Sequence, residues 1–324
     1  MMSQRPSGQF IAYGCFFIFL LCIFTSINEF RFESLSKFCR IPFPLCNYTT
    51  RSNSSNIENS SSNDIRIFMG VITLPSKYGR RQLLRLLYGT QSPVGAKIDV
   101  KFVFCNLRED NTSLTEDQKL LIALEIMRYD DIIILNCTES RWETDHKSYA
   151  YFTALPDMLN SSDGSDDPPY HYVAKADDDI YFRLQPLVDS LVNQPREDFY
   201  YGFVVPCERM DPYKRHSFMS GMGYFISWDI VEWIKSSDIP KKLPMHGAED
   251  RVMGRWLEDG RRGKNRYNAK WAIYNYPGSP TKCAHELVPD TIAVHNLKTE
   301  KQWIHTMTYF NVTQNLKPSK FYSI

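Results

Sequence analysis

Three consecutive aspartates carry the strongest chemical signal in the sequence: Asp177, Asp178 and Asp179. Strand-like runs flank them at residues 172–176 and 180–182. A strand that ends at this point would present the carboxylates at the C-terminal edge of a sheet, where α/β folds bind ligands. Because adjacent carboxylates repel each other, a cation must compensate, and a divalent metal ion with oxygen ligands does this well. A solvated acidic turn is the simpler alternative, but a turn does not usually have a strand-like run on either side.

A second acidic pair, Glu249 and Asp250, opens the helix-like run at residues 250–257. The helix dipole keeps a carboxylate ionised at a helix start. The pair is therefore either a general base on a rigid element or simply a favourable helix start. His295 follows the strand-like run at residues 291–294. A lone histidine is more often structural than a metal ligand, so by itself His295 carries little weight.

Strand-like and helix-like runs alternate along the chain after residue 64. The strand-like runs occupy residues 65–74, 100–105, 132–135, 172–176, 200–205, 224–227, 271–276 and 291–294. The helix-like runs occupy residues 78–88, 114–128, 184–192, 230–235 and 250–257. Ser113 and Glu116 form a predicted capping box at the start of the second helix. This alternation predicts an α/β domain with a mostly parallel sheet flanked by helices.

The composition excludes several classes of protein. Across 324 residues, 38 Lys and Arg oppose 37 Asp and Glu, which gives a formal net charge of +1. This balance excludes a strongly basic nucleic-acid binder, so we expect no nucleic-acid partner. Aromatic residues make up 14% of the chain, which excludes disorder of the acidic, aromatic-poor kind.

The N-terminal segment predicts a membrane anchor. Residues 10–27 contain no charged side chain, and 18 helical residues would reach about 27 Å, just enough to cross a bilayer core. No good small-x-small cleavage site follows, which favours an uncleaved signal-anchor over a cleaved signal peptide; a core helix is the third alternative. The flanking basic residues leave the orientation ambiguous.

The sequons argue more clearly for topology. All seven Asn-x-Ser/Thr triplets follow residue 27, and six of the eight cysteines do too, which fits a lumenal, oxidising location. The sequon asparagines are Asn47, Asn53, Asn59, Asn111, Asn136, Asn160 and Asn311. We therefore expect a cytosolic tail at residues 1–9, a transmembrane signal-anchor at 10–27, a stem at 28–64 and a catalytic domain at 65–324. The stem prediction rests on the Asn- and Ser-rich tract that ends at residue 64.

Five motifs in this order resemble glycosyltransferase family 31, the β-1,3-galactosyltransferase and N-acetylglucosaminyltransferase group. Each motif is weak alone, but their order behind an anchor and stem is specific, and the resemblance covers about residues 65–303. RQLLRLLY at 81–88 resembles the family motif R-x-A-I-R-x-T-W, and KS at 147–148 resembles Lys-Thr. KADDD at 175–179 resembles K-x-D-D-D. SGMGYFIS at 220–227 resembles S-G-x-G-Y-V-L-S, and EDRVMG at 249–254 resembles E-D-V-x-x-G.

The sequence departs from the family pattern at three places. Leu87-Tyr88 replaces Thr-Trp, Arg251 replaces the valine after Glu-Asp, and Met219 stands where many members have a cysteine. These departures affect the expected donor sugar, acceptor and disulfide pattern more than the reaction type. The segment at residues 74–91 is more similar to plant or fungal branches than to animal ones.

The resemblance implies a GT-A fold, a Rossmann-like sheet that binds a UDP-sugar with Mn²⁺. It implies that Asp179 and His295 are metal ligands, with Asp177 in the same metal set. Asp177 and Asp178 would alternatively serve the ribose, the uracil or a ligating water. Further predicted contacts to the nucleotide come from Arg81, Arg85, Lys175, Gly221 and Gly223.

The implied activity is an inverting, metal-dependent transfer of galactose or N-acetylglucosamine from a UDP-sugar to a glycan or glycoprotein acceptor in β linkage. The implied location is the Golgi membrane, as a single-pass type II protein. The triple aspartate is committed to a cation, so we expect Asp250 to be the general base, with Glu249 as the second candidate. The alternatives are a glycoside hydrolase, which also uses two carboxylates, and an inactive glycan-binding member.

Overall fold

The computed structural model describes residues 64–105, 108–109, 112–113, 115–137, 144–159, 167–242 and 247–314. The predicted tail and anchor, and the stem up to residue 63, lie outside the described residues. Within the described ranges, no helix is both long enough and apolar enough to cross a membrane. The described residues all belong to one compact unit, Ser60–Ile324.

A seven-stranded sheet forms the centre of this unit, in the order β10-β8-β9-β6-β1-β2-β5. Every neighbouring pair is parallel except the two made by β9, which runs against both β6 and β8. The predicted mostly parallel α/β sheet is therefore confirmed. Its strands are β1 (Ile65–Ile72), β2 (Ala96–Cys105), β5 (Ile132–Leu135), β6 (Tyr172–Asp177), β8 (Phe199–Val205), β9 (Phe218–Ser227) and β10 (Asn265–Asn268).

Helices cover both faces of this sheet because its strands are apolar on both faces. Along β1, Ile67 and Met69 pack into one core and Phe68 into the other, as the two-residue period of a strand requires. The helices are α1 (Tyr78–Gly89), α2 (Glu116–Tyr129), α3 (Thr144–Leu159), α4 (Leu184–Leu191), α5 (Trp228–Ser236), α6 (Ile239–Lys242), α7 (Glu249–Asp259) and α8 (Glu300–Tyr309).

The strand order contains a switch point between β1 and β6. The chain runs outward from β1 to β2 and β5, then returns to place β6 on the other side of β1. At such a point the two neighbouring connections leave in opposite directions, and a crevice opens at the carboxyl ends of the strands. The three aspartates begin at the last residue of β6, so the fold brings them to this crevice.

A small second sheet brings the C-terminal part of the chain to the same place. It contains β11 (Ile273–Asn275), β12 (Ala293–His295) and β7 (Tyr181–Phe182), in the order β11-β12-β7. Because β7 follows the aspartates directly and pairs antiparallel with β12, the end of β12 lies beside them. The remaining pair, β3 (Arg108–Glu109) and β4 (Thr112–Ser113), forms a separate two-stranded ribbon.

Several local expectations need correction. The capping box of α2 is made by Thr115 and Gln118, two residues after the predicted Ser113 and Glu116, because the helix begins at Glu116. The helices α3 and α8 were not predicted. Aromatic residues interrupt the helical pattern of α3, and α8 is exposed over most of its length, although Thr299 and Gln302 form a capping box before it.

Two disulfides connect the four cysteines that the structure describes. Cys105 at the end of β2 is bonded to Cys137 just after β5, and Cys207 is bonded to Cys283. The disulfides that the even cysteine count permitted are therefore present in this part of the chain. Such bonds persist in oxidising compartments.

Gly70 tests the packing of the sheet against α3. A side chain added at this position would overlap the ring of the buried Tyr151, whose hydroxyl donates a hydrogen bond to the Ala174 carbonyl at 3.0 Å. Gly70→Ala should therefore lower the free energy of unfolding by about 1–3 kcal/mol, the usual cost of overpacking. Gly79→Ala in α1 is the control, because nothing lies within 4 Å of its added carbon. Urea denaturation of both variants measures the difference, and an equal effect in both would contradict the packing argument.

Candidate active site

Asp177, Asp179 and His295 form a compact cluster at the carboxyl ends of β6 and β12. The His295 Nε2 atom lies 3.2 Å from Asp179 Oδ1 and 3.4 Å from Asp177 Oδ2. One ligand atom from each of the three residues lies within 4.8 Å of the others. A backbone hydrogen bond also joins the two segments, since the Leu297 N–H donates to the Asp179 carbonyl at 3.0 Å. The structure thus brings together the three residues of the predicted metal set.

The orientation of the His295 ring is set by Asn275, which ends β11. The His295 Nδ1 atom lies 2.6 Å from the Asn275 side-chain oxygen. An amide oxygen only accepts, so Nδ1 carries the proton and Nε2 faces the two carboxylates. Burial lowers the pKa of His295, but hydrogen bonds to Asp177 and Asp179 outweigh it and raise the pKa to about 8. Sequence reasoning missed Asn275; its only signal was a polar residue at the end of a strand-like run.

Asp179 has a second cationic neighbour, Lys298, which forms an ion pair with its Oδ2 atom. Burial raises the pKa of Asp179, but His295 and Lys298 outweigh burial and hold the pKa well below its usual range. The Asp179 side chain is 6% exposed, so it is an ionised carboxylate in a largely buried position. Lys298 was not predicted, because it lies beyond the strand that carries His295 in a stretch without a recognisable motif.

Asp178 points away from this cluster and toward the end of β1. Its Oδ2 atom accepts a hydrogen bond of 2.7 Å from the Thr73 hydroxyl, and Lys77 donates to its Oδ1 atom at 3.1 Å. The Thr73 carbonyl in turn accepts from Lys147, the lysine of the predicted Lys-Ser motif. Asp178 therefore ties β6 to β1 and to the segment before α1, and its oxygens contact protein groups rather than the metal-type cluster.

Lys175 connects the aspartate cluster to the second acidic pair. Its ammonium lies 2.6 Å from Asp177 Oδ1, 2.6 Å from the Gly221 carbonyl and 3.4 Å from Glu249 Oε2. Burial lowers the pKa of Lys175, but the charges of Asp177 and Glu249 outweigh it and raise the pKa. Three acceptors already surround this buried ammonium. The structure places Lys175 as a bridge between two carboxylates, and its contact with the nucleotide stays a prediction.

Glu249 and Asp250 form the first turn of α7 but have different surroundings. Glu249 is buried, and its Oε1 atom accepts a hydrogen bond of 2.6 Å from the Tyr224 hydroxyl. Burial raises the pKa of Glu249, although Lys175 and Tyr224 oppose the shift. Asp250 is only partly buried. Its two oxygens accept from the backbone N–H groups of Gly221 and Arg251, each at 2.8 Å, which fixes the direction of the carboxylate.

The two glycines of β9 have different roles. Gly221 uses its N–H for Asp250 and its carbonyl for Lys175, and a side chain there would lie 3.3 Å from Glu249 Oε2. Gly223 instead leaves room for Phe182, because an added carbon would lie 2.7 Å from the Phe182 ring. The predicted close approach of a ligand to Gly223 is thus corrected to core packing. Gly221 belongs to the site through its backbone.

Arg81 and Arg85 lie in a buried ion-pair network away from the predicted nucleotide contacts. Arg81 is fully buried and binds both oxygens of Glu125, at 2.8 and 2.7 Å. Arg85 donates to Asp131 at 2.7 and 2.8 Å and to Glu125 at 2.7 Å. They hold α1 against α2 and the start of β5, and their contact with the nucleotide stays a prediction. Their partners were not visible in the sequence because they come from a separate helix and a loop.

The chain is similar to known proteins of one enzyme family. The galactosyltransferase family matches this chain over residues 79–217. The resemblance inferred from the motifs is therefore confirmed. The matched region contains the three aspartates of the galactosyltransferase domain, whereas Asp250 and His295 lie beyond it.

Three curated proteins resemble this chain at low identity. A hydroxyproline O-galactosyltransferase from Arabidopsis thaliana is 24% identical over 65% of this chain and 31% of its own length. A human lactosylceramide 1,3-N-acetyl-beta-D-glucosaminyltransferase is 25% identical over 54% of this chain and 44% of its own. A probable beta-1,3-galactosyltransferase from Arabidopsis thaliana is 24% identical over 59% and 57%. The matches thus span less than two thirds of each relative, and two plant relatives are consistent with the predicted plant-like branch.

Two solved structures overlap with this fold in part. A glycosyltransferase involved in glycosylation of the major capsid of PBCV-1 has a TM-score of 0.39 and 12% identity, over 76% of this chain and 99% of its own. A mannosyltransferase from Pyrobaculum calidifontis, in complex with GDP-Man and Mn²⁺, has a TM-score of 0.39 and 14% identity, over 70% and 57%.

The raised pKa of His295 predicts a pH-dependent contribution to stability in the metal-free protein. The folded-state pKa of about 8 lies above the ordinary histidine pKa of 6.5, so protonated His295 stabilises the fold. This contribution, about 2 kcal/mol, is fully present below pH ~6.5 and is lost as the pH rises through ~8. Urea unfolding with a chelator present, at pH values on either side of this window, measures it. His295→Gln should lose this part of the pH dependence; an unchanged profile in the variant would contradict the assignment.

Proposed function

We propose that this chain is an inverting, metal-dependent glycosyltransferase. It moves galactose or N-acetylglucosamine from a UDP-sugar to a glycan or glycoprotein acceptor in β linkage. One observation carries the proposal: the buried Lys175 lies between two acidic groups. On one side is the metal-type set of two carboxylates and an imidazole, and on the other is a carboxylate at the start of α7. Such a site can hold a nucleotide diphosphate through a cation and deprotonate a hydroxyl beside it.

The donor side would consist of Asp177, Asp179 and His295 around Mn²⁺. The residues fit such an ion, because two carboxylate oxygens and one ring nitrogen converge and the opposite ring nitrogen is fixed by Asn275. The cation, when bound, would neutralise the charge that grows on the leaving diphosphate. The negative charge of the two aspartates is meanwhile balanced by His295 and Lys298. The position of the cluster at the β1/β6 switch point supports a GT-A arrangement.

The acceptor side would use Asp250 as general base. Both oxygens of Glu249 already face protein partners, Tyr224 and Lys175, within a buried environment. Asp250 is more exposed, and two backbone N–H groups aim it from β9 and from its own helix. It would accept the proton of the acceptor hydroxyl as that oxygen attacks the sugar from the side opposite the diphosphate.

We extend the proposal to a Golgi membrane protein of single-pass type II topology, anchored by residues 10–27. Two features of the described part support a lumenal domain. The disulfides Cys105–Cys137 and Cys207–Cys283 require oxidation, and the sequon residues Asn136 and Asn311 are both exposed.

The donor assignment predicts that UDP binding depends on Mn²⁺ and on Asp179. Wild-type protein should bind UDP in the presence of Mn²⁺ and release UDP from UDP-galactose or UDP-N-acetylglucosamine when a glycan acceptor is supplied. Asp179→Ala should lose the Mn²⁺-dependent part of UDP binding, because one of the two converging carboxylates is removed. Calorimetry with UDP and a UDP-release assay measure both effects. Full Mn²⁺-dependent binding in the variant would refute the assignment, and sugar release without UDP-sugar would favour a hydrolase.

The base assignment predicts different behaviour for the two members of the acidic pair. Asp250→Asn should keep Mn²⁺-dependent UDP binding and lose transfer by about 10²–10⁴-fold, the usual contribution of a general base. Glu249→Gln is the matched control, because it removes a neighbouring charge of the same helix turn and should lose less. The measurement is the rate of sugar transfer at saturating donor for each variant and for wild type. Transfer by Asp250→Asn at near the wild-type rate would show that the base lies elsewhere.

A further inference from the structure

A basic cleft lies along α7, beginning one residue beyond Asp250. It consists of two adjoining depressions of about 360 and 250 Å³ that share Arg215, His216 and Glu258. Phe218 and Gly254 line its inner part, where α7 approaches β9 closely because Gly254 has no side chain to separate them. The cleft is therefore a concave surface that continues directly from the first turn of α7.

The charge of the cleft is far from that of the whole chain. Eight cationic side chains line it, against only two carboxylates, Glu258 and Asp259. The chain as a whole has a net charge of only +1, so this imbalance is local. The cationic residues are Lys214, Arg215, Arg251, Arg255, Arg261, Arg262, Lys264 and Arg266.

The arginines at the inner end of the cleft are available to a ligand. Arg215, Arg251 and Arg255 are exposed, and none of the three forms an ion pair with a carboxylate in the part of the chain that the structure describes. Arg81 and Arg85, by contrast, are held by buried or partly buried carboxylates. Several unpaired guanidinium groups around a concave surface form a site for carboxylate, sulfate or phosphate oxygens.

The helix sets the spacing between the cleft and the base. Arg251 and Arg255 are four residues apart and therefore lie on one side of α7. At about 1.5 Å per residue, the cleft extends roughly 12 Å along α7 from Asp250 to Glu258. A molecule that fills the cleft and also reaches Asp250 would therefore be elongated. The ring of Tyr213, 62% exposed at the outer depression, offers a surface on which a sugar can stack.

We infer that the basic cleft binds an acidic oligosaccharide, as the part of the acceptor next to the hydroxyl that receives the sugar. The inference deepens the proposed function and rests on it for the role of Asp250. Arg251 stands where the family motif has valine, so the residue closest to the base is also the one that departs from the pattern. The acidic groups of the acceptor bind to Arg251, Arg255 and Arg215, and its terminal hydroxyl lies at Asp250.

The shape favours an oligosaccharide over an anionic membrane surface. A membrane presents an extended negative surface to a convex or flat basic patch. Here the cations surround a depression, and Glu258 and Asp259 lie among them. Those carboxylates would repel a uniformly negative surface, whereas a chain with separated acidic groups can avoid them.

The test compares two oligosaccharides with the same backbone in binding to the full-length protein in detergent. One is a sulfated chondroitin tetrasaccharide, and the other is its desulfated, carboxyl-reduced counterpart. The acidic form should bind at least about tenfold more tightly, and added salt should weaken it. Arg251→Val and Arg255→Gln should each weaken its binding about tenfold, while Arg251→Lys should retain part of it. Lys97→Gln is the control, because this exposed cation lies near the start of β2 and does not line the cleft. It should bind like wild type.

The outcomes separate this inference from the proposed function. Mn²⁺-dependent UDP binding is measured on the same samples, and it should be unchanged in the arginine variants. Equal binding of the two tetrasaccharides, or binding that ignores both arginine substitutions, would overturn the inference even if UDP binds normally. Short-chain phosphatidylserine that binds with the same arginine dependence, in place of the tetrasaccharide, would identify the cleft as a lipid site instead. If wild-type protein shows no Mn²⁺-dependent UDP binding, the proposed function is contradicted, whereas the binding of the acidic oligosaccharide to the cleft is not.

Discussion

The buried ammonium of Lys175 is the interaction on which the site depends. It is the cation shared by two acidic groups from different parts of the chain, Asp177 at the end of β6 and Glu249 at the start of α7. Removing one partner of a buried ion pair typically costs about 3–5 kcal/mol, because the other charge remains without compensation. Lys175 therefore does more than neutralise a neighbour: it holds the metal-type cluster and the first turn of α7 at a fixed separation.

The antiparallel strand β9 makes this arrangement possible. A strand parallel to β6 would begin beside the start of β6, but β9 runs the opposite way and places its earlier residues beside the end of β6. Gly221 thereby offers its carbonyl to Lys175 and its N–H to Asp250 from one residue. The reversal of a single strand thus lets one residue contact both Lys175 and Asp250.

The sequence predicts the residues of the site better than it predicts their relations. The run of strands and the position of the aspartates at a strand end follow from hydrophobic patterning, which is a local property. The pairing of Asp177 with His295, of Lys175 with Glu249 and of Arg81 with Glu125 depends on tertiary contacts that no local pattern encodes. The arginines of residues 81–88 illustrate the consequence. A cationic side chain in a family motif was expected to bind an anionic ligand, whereas here an internal glutamate occupies that role.

The small sheet has a consequence for the order in which this protein acquires its structure. Two of its strands are far apart in the sequence: β7 follows the aspartates directly, and β12 is one of the last elements described. Contacts between such distant segments form late, because the whole intervening chain must be available before they can close. A polypeptide emerging during synthesis can thus build β1, β2, β5 and β6 well before His295 exists to meet Asp179. Until the final segment arrives, Asp177 and Asp179 lack their imidazole partner, so the central strands can pair before the metal-type cluster is complete.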